Sequence, residues 1–348
     1  MLTDRVEAKW IESFAELFRL CGTKAGEPAR ILSETQSRPL NVQLAELALS
    51  RIGARPFHIV VPTPRQTAPV PVRSTGASQA LQRIEPVVKA LSGPGLLVDL
   101  TVEGLLHAPE LPEILGSGAR VMMISNEHPE VLERLAPEPA LMPKVKLGMR
   151  LLKQAREMRV TSRAGTDLVI ALEGARIGGV WGWTDRPGTI AHWPGGLCLA
   201  FPKAGSVEGR LVLAPGDANL TFKRYIEAEV RLTLERDYIA RIDGQNLDAE
   251  LMRDHLAAWG ERDAYAVSHA GWGMNKRARW DAMAMYDKRD INGTELRAFA
   301  GNFLFSTGAN EVAGRFGQGH FDIPLRNCTV ALDGRPVVID GKLQGELA

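Results

Sequence analysis

In the first half of the chain, apolar residues recur by turns at helical spacing and in short unbroken runs. The helical spacing predicts helices over residues 4–21, 40–52 and 77–91, the last with a kink or restart at Pro86. The unbroken runs are rich in valine, isoleucine and leucine, which predicts buried strands over residues 28–34, 57–63, 95–101 and 119–125. Buried strands separated by helices are typical of a mostly parallel sheet with helices on both faces.

After about residue 160 the pattern changes to dense glycine and to strands in which apolar and polar residues alternate. Residues 208–216 and 225–244 are strand-like, and the second segment turns back on itself at Arg236-Asp237, which predicts antiparallel hairpins. Helical spacing returns at residues 246–259. The second half therefore predicts a mainly antiparallel region with few helices.

A chain of 348 residues is too long for one ordinary domain and suits two. We predict an α/β fold in which a mostly parallel α/β domain over residues 1–160 precedes a mainly antiparallel α+β domain over residues 161–348. A basic helix over residues 143–158 leads out of the first domain. The proline-rich segment 61–75 is interpreted as a long loop inside that domain.

Charge and composition exclude several classes of protein. The chain has 42 basic and 41 acidic residues and a net charge of +1, so bulk electrostatics favour neither nucleic acid nor a membrane as a partner. No window approaches the ~18 uninterrupted apolar residues of a transmembrane helix. The first residues include acids where a signal peptide has a basic start, and the three cysteines are widely spaced. We therefore expect a cytoplasmic protein with reduced thiols.

The segment GQGHFDIPLRN carries the first candidate for metal chemistry. If its HFDIP part begins a strand, His320 and Asp322 are two positions apart and project from one face. One metal ion can then bind an imidazole nitrogen and a carboxylate oxygen together. Pro324 lacks a backbone donor, so this strand is expected to be short or at a sheet edge. By itself the pair is a weak signal, because a surface histidine beside a solvated aspartate has the same spacing.

A third ligand is available at His269, in the segment YAVSHAGWGMN. Two imidazoles and one carboxylate make the facial triad of non-haem iron(II) oxygenases, which leaves coordination positions open for substrate and dioxygen. Zinc accepts the same ligands with water in its fourth position. The ligand set therefore leaves iron-dependent oxidation and zinc-dependent hydrolysis as alternatives.

Two further histidines lie in positions suited to acid–base chemistry. His107 comes just after the predicted strand 95–101, and open α/β sheets usually carry their sites at the carboxyl ends of strands. His192 lies in the turn-forming segment IAHWPGG. Imidazole titrates near neutral pH and can transfer protons there. The alternative for each residue is a structural loop histidine.

Long segments of the chain resemble the 2,5-dihydroxypyridine 5,6-dioxygenase family. The resemblance is densest over residues 145–330, and it is carried by SHAGWGMNKRARWDAMAMYD, RAFAGNFLFSTGANEV, HFDIPLRNC, LLHAPE, LLKQAREMRVTSRAGTDL and GWTDRPGTIAHWPGG. It implies an enzyme in which one iron(II) per chain opens a small hydroxylated pyridine with dioxygen. The implied product is N-formylmaleamate, formed in the breakdown of nicotinate and related pyridines. The resemblance also implies a homo-oligomer.

The resemblance further implies roles for individual residues. The matching positions are His269, His320 and Asp322 as iron ligands, His107 and His192 as pocket residues, and Ser306 as a residue near the substrate. We predict catalytic roles for His107 and His192, and we predict Leu106 and Trp181 as further substrate-binding residues. A tryptophan side chain is suited to stacking on an aromatic substrate. Which of the two pocket histidines accepts a proton, and which donates one, stays open.

The same fold resembles the aminopeptidase T group of two-metal peptidases, which supplies the main alternative function, a metal-dependent aminopeptidase or amidohydrolase. Two carboxylate ligands of that group have no counterpart here, because Leu197 and His269 occupy the matching positions. Loss of two negative charges favours one softer metal ion over two hydrolytic ones. A third alternative is a non-catalytic protein that only binds a small aromatic molecule.

Overall fold

The computed structural model describes residues 5–65, 67, 79–124 and 126–348. The α-helices in these residues are α1 (Ala8–Leu20), α2 (Pro39–Arg51), α3 (Glu85–Leu91), α4 (Leu111–Gly116), α5 (Pro129–Arg134), α6 (Leu141–Gln154), α7 (Leu247–Ala258), α8 (Ala282–Met285) and α9 (Thr294–Ala298). Short 3₁₀ helices lie at Arg262–Tyr265, Glu311–Ala313 and Gly345–Leu347. No helix in the described part of the chain is long and apolar enough to cross a membrane.

The strands of the described residues form three larger sheets and one short pair, β11-β12. They are β1 (Pro28–Glu34), β2 (Arg55–Val61), β3 (Gly95–Leu100), β4 (Ala119–Ile124), β5 (Glu157–Ser162), β6 (Asp167–Ala171), β7 (Arg176–Val180), β8 (Thr189–Trp193), β9 (Leu197–Phe201), β10 (Val207–Leu213), β11 (Ala218–Asn219), β12 (Arg224–Tyr225), β13 (Val230–Glu235), β14 (Tyr238–Asp243), β15 (Val267–Gly273), β16 (Phe303–Asn310), β17 (Arg315–Leu325), β18 (Cys328–Leu332), β19 (Arg335–Ile339) and β20 (Lys342–Leu343). The sheet orders are β2-β1-β3-β4-β8, β14-β13-β10-β6-β5-β18-β19-β20 and β17-β16-β15-β9-β7.

Helices cover both faces of the first sheet. Leu96 of β3 packs in one cluster with Phe14 of α1 and Leu44 of α2. Its neighbour Leu97 points the other way, into a cluster with Leu111 of α4. Burial on both faces explains why these strands read as unbroken apolar runs. All neighbouring strands of this sheet are parallel, so the predicted α/β fold class is confirmed.

The last strand of the parallel sheet, β8, comes from the second half of the chain. Thr189–Trp193 pairs in parallel with β4, and His192 lies opposite Met123. The buried Trp193 donates from its indole nitrogen to the carbonyl oxygen of Leu135, 2.7 Å away. His192 therefore lies at the carboxyl end of a parallel strand, as His107 does. The division of the chain near residue 160 into two domains stays a prediction.

The helix predicted over residues 77–91 is shorter in the structure. Helix α3 begins at Glu85, with Pro86 in its first turn. A proline there loses no intrahelical hydrogen bond, because the first backbone donors of a helix have no partner in any case. Pro86 thus starts the helix rather than kinking it. Residues 77 and 78 of that prediction, and residues 66 and 68–75 of the predicted loop, lie outside the described residues.

The helix predicted over residues 143–158 ends at Gln154. The next residues, Glu157–Ser162, form β5 instead, which pairs with β6 on one side and β18 on the other. Strand β18 lies near the far end of the chain. The local sequence pattern therefore cannot show that residues 157–162 pair with β18.

Antiparallel pairing dominates the other two large sheets. The hairpin predicted over residues 225–244 is confirmed as β13 and β14, with Arg236 and Asp237 at its turn. Both turn residues have positive φ, 48° and 78°, as the common two-residue hairpin turns require. Strand β17 lies at a sheet edge, as Pro324 predicted. It is not short, however, since it spans 11 residues. An edge strand tolerates proline because only one of its sides needs backbone donors.

Buried carboxylates shape the loop that follows β3. Asp99 accepts hydrogen bonds from the backbone N–H groups of Thr101 and Leu105, at 3.0 and 2.7 Å. Glu34, at the end of β1, accepts one from the N–H of Val102. These contacts fix the start of the loop at the carboxyl end of the parallel sheet. The next two residues of that loop are Leu106 and His107.

Candidate metal centre and substrate cavity

Two strands of one sheet carry the metal ligands predicted from the sequence. His269 is on β15, His320 and Asp322 are on β17, and β16 lies between them. Oδ1 of Asp322 lies 3.3 Å from Nε2 of His320 and 3.9 Å from Nε2 of His269. One ligand atom from each residue lies within 4.8 Å of the other two. All three side chains are buried, so the structure brings the predicted triad together inside the protein.

Local backbone features of β15 and β16 aim these ligands. Gly308 of β16 lies opposite His320 with a φ of 106°, and a Cβ atom there would overlap the carbonyl oxygen of Gly319. The register between β15 and β16 shifts between Val267 and Ala270, on either side of His269. Such an irregularity changes the direction in which a strand presents its side chains. The glycine and the shift together let ligands from two non-adjacent strands converge.

Asp322 is held by two neighbours, one on each carboxylate oxygen. The guanidinium of Arg297, on α9, donates from Nε to Oδ2 at 2.5 Å. The hydroxyl of Ser306, directly opposite on β16, donates to Oδ1. Burial raises the pKa of Asp322, but the charge of Arg297 and the contact with His320 outweigh it and hold that pKa well below its usual range. Asp322 is therefore a carboxylate whose Oδ1 faces both imidazoles.

These side chains fit one divalent cation. Burial lowers the pKa of His269 to about 3, so its imidazole is neutral and able to donate a lone pair. Two imidazoles and one carboxylate then present three donors and a single negative charge. The buried Nδ1 atoms of His269 and His320 have no hydrogen-bond partner among the described residues. Both iron(II) and zinc accept this donor set.

His107 lies next to the triad and has a carboxylate behind it. Its ring centroid is 5.2 Å from that of His320, and its Nδ1 is 3.6 Å from Oε1 of Glu311. Burial lowers the pKa of His107, and the contact with Glu311 partly opposes that effect. The same contact lowers the pKa of Glu311 to about 2. The buried Nε2 of His107 has no hydrogen-bond partner among the described residues.

His192 is held by a different kind of partner. Its Nδ1 lies 2.7 Å from the carbonyl oxygen of Pro194. A carbonyl oxygen only accepts hydrogen bonds, so Nδ1 carries the proton and Nε2 keeps its lone pair. Burial lowers the pKa of His192 to about 4. His192 is therefore a neutral imidazole at neutral pH, with a lone pair at Nε2.

The triad opens onto a cavity with an apolar side and a polar side. The apolar side consists of Leu106, Met123, Leu197, Leu199 and Leu304. The polar side consists of Glu103, His107, His192, Asn292, Thr294 and Arg297. Such a mixture suits a small flat ring with a few hydrogen-bonding groups. The predicted positions Leu106, His107 and His192 therefore all line the cavity that contains the triad.

The structure does not bring Trp181 to this cavity. Trp181 follows β7, an edge strand, and Nζ of Lys146 on α6 lies 5.3 Å from its ring centroid. The tryptophan thus packs beneath a helix, away from the triad. Ser306 is close to the site but is absent from the cavity lining, because its hydroxyl is bound to Asp322. In this structure Ser306 supports the carboxylate of Asp322, and its predicted contact with a substrate stays a prediction.

Five polar residues of the site were not predicted from the sequence: Glu103, Asn292 and Thr294 in the cavity lining, Arg297 beside Asp322, and Glu311 beside His107. Arg297 and Glu311 both lie in RAFAGNFLFSTGANEV, a segment that served above only as evidence of the family resemblance. A signal was available for Arg297, because a carboxylate ligand buried between strands needs a positive partner. No feature of the sequence indicated Glu311, because the sequence pattern does not show that the 3₁₀ helix of Glu311 contacts the loop after β3.

Comparisons with known proteins agree with this geometry. The family model for 2,5-dihydroxypyridine 5,6-dioxygenase matches residues 9–345. The 2,5-dihydroxypyridine 5,6-dioxygenase of Pseudomonas putida is 36% identical over 338 residues, which are 96% of this chain and 95% of that protein. The solved structure of 2,5-dihydroxypyridine dioxygenase from Pseudomonas putida KT2440 has a TM-score of 0.93 at 34% identity, covering 99% of each chain.

A more distant likeness bears on the fold alone. The solved structure of wild-type AmpT from Thermus thermophilus has a TM-score of 0.66 at 14% identity, covering 97% of this chain and 99% of that one. It confirms the expected likeness to the aminopeptidase T fold. The position that the sequence analysis matched to a carboxylate ligand of that group is Leu197, which lies in the apolar side of the cavity.

Proposed function

The chain belongs to the 2,5-dihydroxypyridine 5,6-dioxygenase family, and we propose that it opens the ring of 2,5-dihydroxypyridine, or of a close hydroxylated pyridine, at one iron(II) bound by His269, His320 and Asp322. It is thus a ring-cleaving dioxygenase. Both atoms of dioxygen enter the product, N-formylmaleamate, because the hydroxyl-bearing carbon becomes a carboxylate and its neighbour becomes a formyl group. The convergence of the three ligands from β15 and β17 of one sheet carries this proposal.

Iron(II) is the proposed metal because the reaction needs a redox-active centre. Iron(II) bound at the triad would supply the electron transfer that lets dioxygen react with an aromatic ring. Zinc cannot do so because it has no redox chemistry. Two imidazoles and one carboxylate also leave open positions on one face of an octahedral ion. The protein orients the carboxylate donor through Ser306 and Arg297, which fix both oxygens of Asp322.

His107 is the proposed base for a ring hydroxyl. A base that takes up a proton becomes an imidazolium, and the carboxylate of Glu311 beside Nδ1 stabilises that charge. Its Nε2 is buried near the triad with no hydrogen-bond partner among the described residues, so it is available to the substrate. His192 lacks a carboxylate behind it and stays neutral. We assign it to substrate orientation, through a hydrogen bond accepted at Nε2.

The metallohydrolase alternative is less well supported by the site. A two-metal hydrolase holds its second ion with further carboxylates. Among the described residues, only His269, His320 and Asp322 form a group of potential ligands large and close enough to bind a metal ion. Leu197, Leu199 and Leu304 form the apolar side of the same cavity. A second metal ion there would find no oxygen or nitrogen ligand on these leucine side chains.

The proposal also includes the cellular location and the oligomeric state of the enzyme. We place the enzyme in the cytoplasm, and in support of this all three cysteines, Cys21, Cys198 and Cys328, are buried free thiols. We also propose a homo-oligomer, which the resemblance noted in the sequence implies. The substrate partners are a hydroxylated pyridine and dioxygen.

Isotope labelling tests the proposed function. Enzyme loaded with iron(II) without air is mixed with 2,5-dihydroxypyridine and oxygen-18 gas. We expect one molecule of dioxygen consumed per ring opened, with both labelled atoms in the open-chain product by mass spectrometry. A hydrolase would instead take its oxygen from water and work without air. Consumption of the pyridine without labelled product would contradict the proposal.

A further inference from the structure

A second cleft, of about 700 Å³, lies beside the metal cavity. One side of it consists of Gln36, Val102 and Asn126, which follow β1, β3 and β4 respectively. We call it the strand-end cleft, because it lies at the carboxyl ends of three adjacent parallel strands. Open α/β sheets bind their ligands at this end of the sheet. The strand-end cleft has no role in the proposed chemistry at the triad.

The strand-end cleft and the metal cavity share a wall. Asn292 lines both of them. Val102 lines the cleft, whereas the next residue, Glu103, lines the cavity. The buried carboxylate of Glu127 fixes the wall, since it accepts hydrogen bonds from the backbone N–H groups of Asn292 and Thr294 at 3.0 and 2.9 Å. The metal cavity and the strand-end cleft are therefore neighbouring spaces that both border Asn292.

The strand-end cleft is positively charged. Its other side carries Lys223, Lys288 and Arg289, and no acidic side chain is among the described residues that line it. Lys288 donates to the carbonyl oxygen of Phe222 at 3.3 Å, a contact that leaves its charge in place. Neither Lys288 nor Arg289 forms an ion pair with any residue of the described ranges. The protein as a whole is nearly neutral, at +1, so this is a local excess of positive charge.

Ring opening changes the charge of the bound molecule. A dihydroxypyridine is a neutral ring, whereas its open-chain product contains a carboxylic acid, which is ionised at neutral pH. A cationic cleft therefore attracts the product and not the substrate. The amide side chains of Gln36, Asn126 and Asn292 add donors and acceptors that suit the amide and formyl groups of such a product.

We propose that the strand-end cleft binds the ring-opened carboxylate product as it leaves the metal cavity. The cleft is then a product subsite, through which the open chain passes while the triad receives the next ring. This inference rests on the proposed function for the identity of the anion. The cleft's preference for a short carboxylate over a neutral molecule is tested without turnover.

The test compares two double variants of the iron-loaded enzyme. Lys288→Gln/Arg289→Gln removes two charges from the cleft, and Lys153→Gln/Arg156→Gln removes the same two charges from an exposed surface at the end of α6. The probe is maleamate, a short carboxylate amide, with its neutral diamide as the reference ligand. Binding is measured by calorimetry. Inhibition by maleamate is measured from initial rates of ring opening.

We expect the cleft variant to bind maleamate about tenfold more weakly, as loss of two exposed charge contacts predicts. Its inhibition pattern should change as well. Maleamate in the cleft acts while the ring occupies the cavity, so it lowers kcat in the wild type. The cleft variant should lose that effect. The surface variant should match the wild type throughout.

Equal maleamate affinity in both double variants would contradict the assignment, as would equal affinity of the wild type for maleamate and the neutral diamide. Calorimetry needs no ring opening, so it separates the two proposals. If the enzyme fails to open any pyridine but binds maleamate through Lys288 and Arg289, the proposed function is wrong and the anion subsite stands. If it opens the ring and the charges have no effect, the reverse holds.

Discussion

Replacing Asp322 by alanine is expected to abolish iron binding and ring opening. Asp322 supplies the only negative charge of the triad, and Oδ1 faces both imidazoles. Loss of a group that merely supports a metal ligand costs roughly 10–100-fold, so loss of this ligand should cost more. The substitution also leaves Arg297 without its buried carboxylate partner. Iron per chain, measured by atomic emission after anaerobic loading, and oxygen uptake check the two effects together.

A matched variant separates metal loss from unfolding. Ser306→Ala removes only the hydroxyl that donates to Oδ1 of Asp322, and it keeps the charge, both imidazoles and Arg297. We expect it to weaken iron binding by roughly 10–100-fold and to recover activity at high iron(II). Thermal unfolding of both variants shows whether the fold survives. An Asp322→Ala enzyme with full iron content and full activity would refute the triad.

Replacing His107 by glutamine is expected to lower kcat by roughly 10²–10⁴-fold, the usual contribution of a general base, with iron content unchanged. His107 contacts the ring of His320 but lies outside the ligand set. Glutamine keeps a polar side chain of similar length and loses the ability to take up a proton. Steady-state oxygen uptake and iron analysis of the same samples check this. Equal activity in the variant and the wild type would exclude His107 as the base.

The pH dependence of activity is a second test of His107 as the base. A base acts in its neutral form, so activity should be full above the pKa of His107 and fall as pH drops through it. Burial lowers that pKa, so the fall should lie below the usual pH for histidine. Glu311→Gln removes a contact that raises the pKa of His107. This substitution should move the loss of activity to still lower pH. It should also reduce kcat at higher pH, because the imidazolium of His107 no longer has a carboxylate beside it. An unchanged profile would contradict the pairing.

The sequence predicted the parallel sheet from a strong local pattern, and it predicted the triad from a weak spacing signal that the family resemblance strengthened. Unbroken apolar runs such as residues 95–101 require burial on both faces, and the structure has helices on both sides of β3. His320 and Asp322 project together because alternate residues of a strand share a face. The match of His269 to that pair came from family resemblance. The order of β15, β16 and β17 explains physically why it holds.

Other parts of the site depend on contacts that no local pattern encodes. Strand β8 joins a sheet whose other strands all lie before residue 125, which is why His192 comes to lie near His107. Glu311 meets His107 only after two distant loops are brought together. Trp181 was assigned to the substrate because its ring type suits stacking, but its position after the edge strand β7 turns it towards α6. Side-chain chemistry alone could not distinguish these outcomes.

The most direct test of the account is an iron titration of the metal-free enzyme under exclusion of air. Aliquots loaded with increasing iron(II) are assayed for oxygen uptake with 2,5-dihydroxypyridine, and a parallel series is loaded with zinc. We expect activity to rise linearly, to stop rising at one iron per chain and to be absent with zinc. Full activity with zinc, or a rise that continues to two metal ions per chain, would contradict a mononuclear iron site at His269, His320 and Asp322.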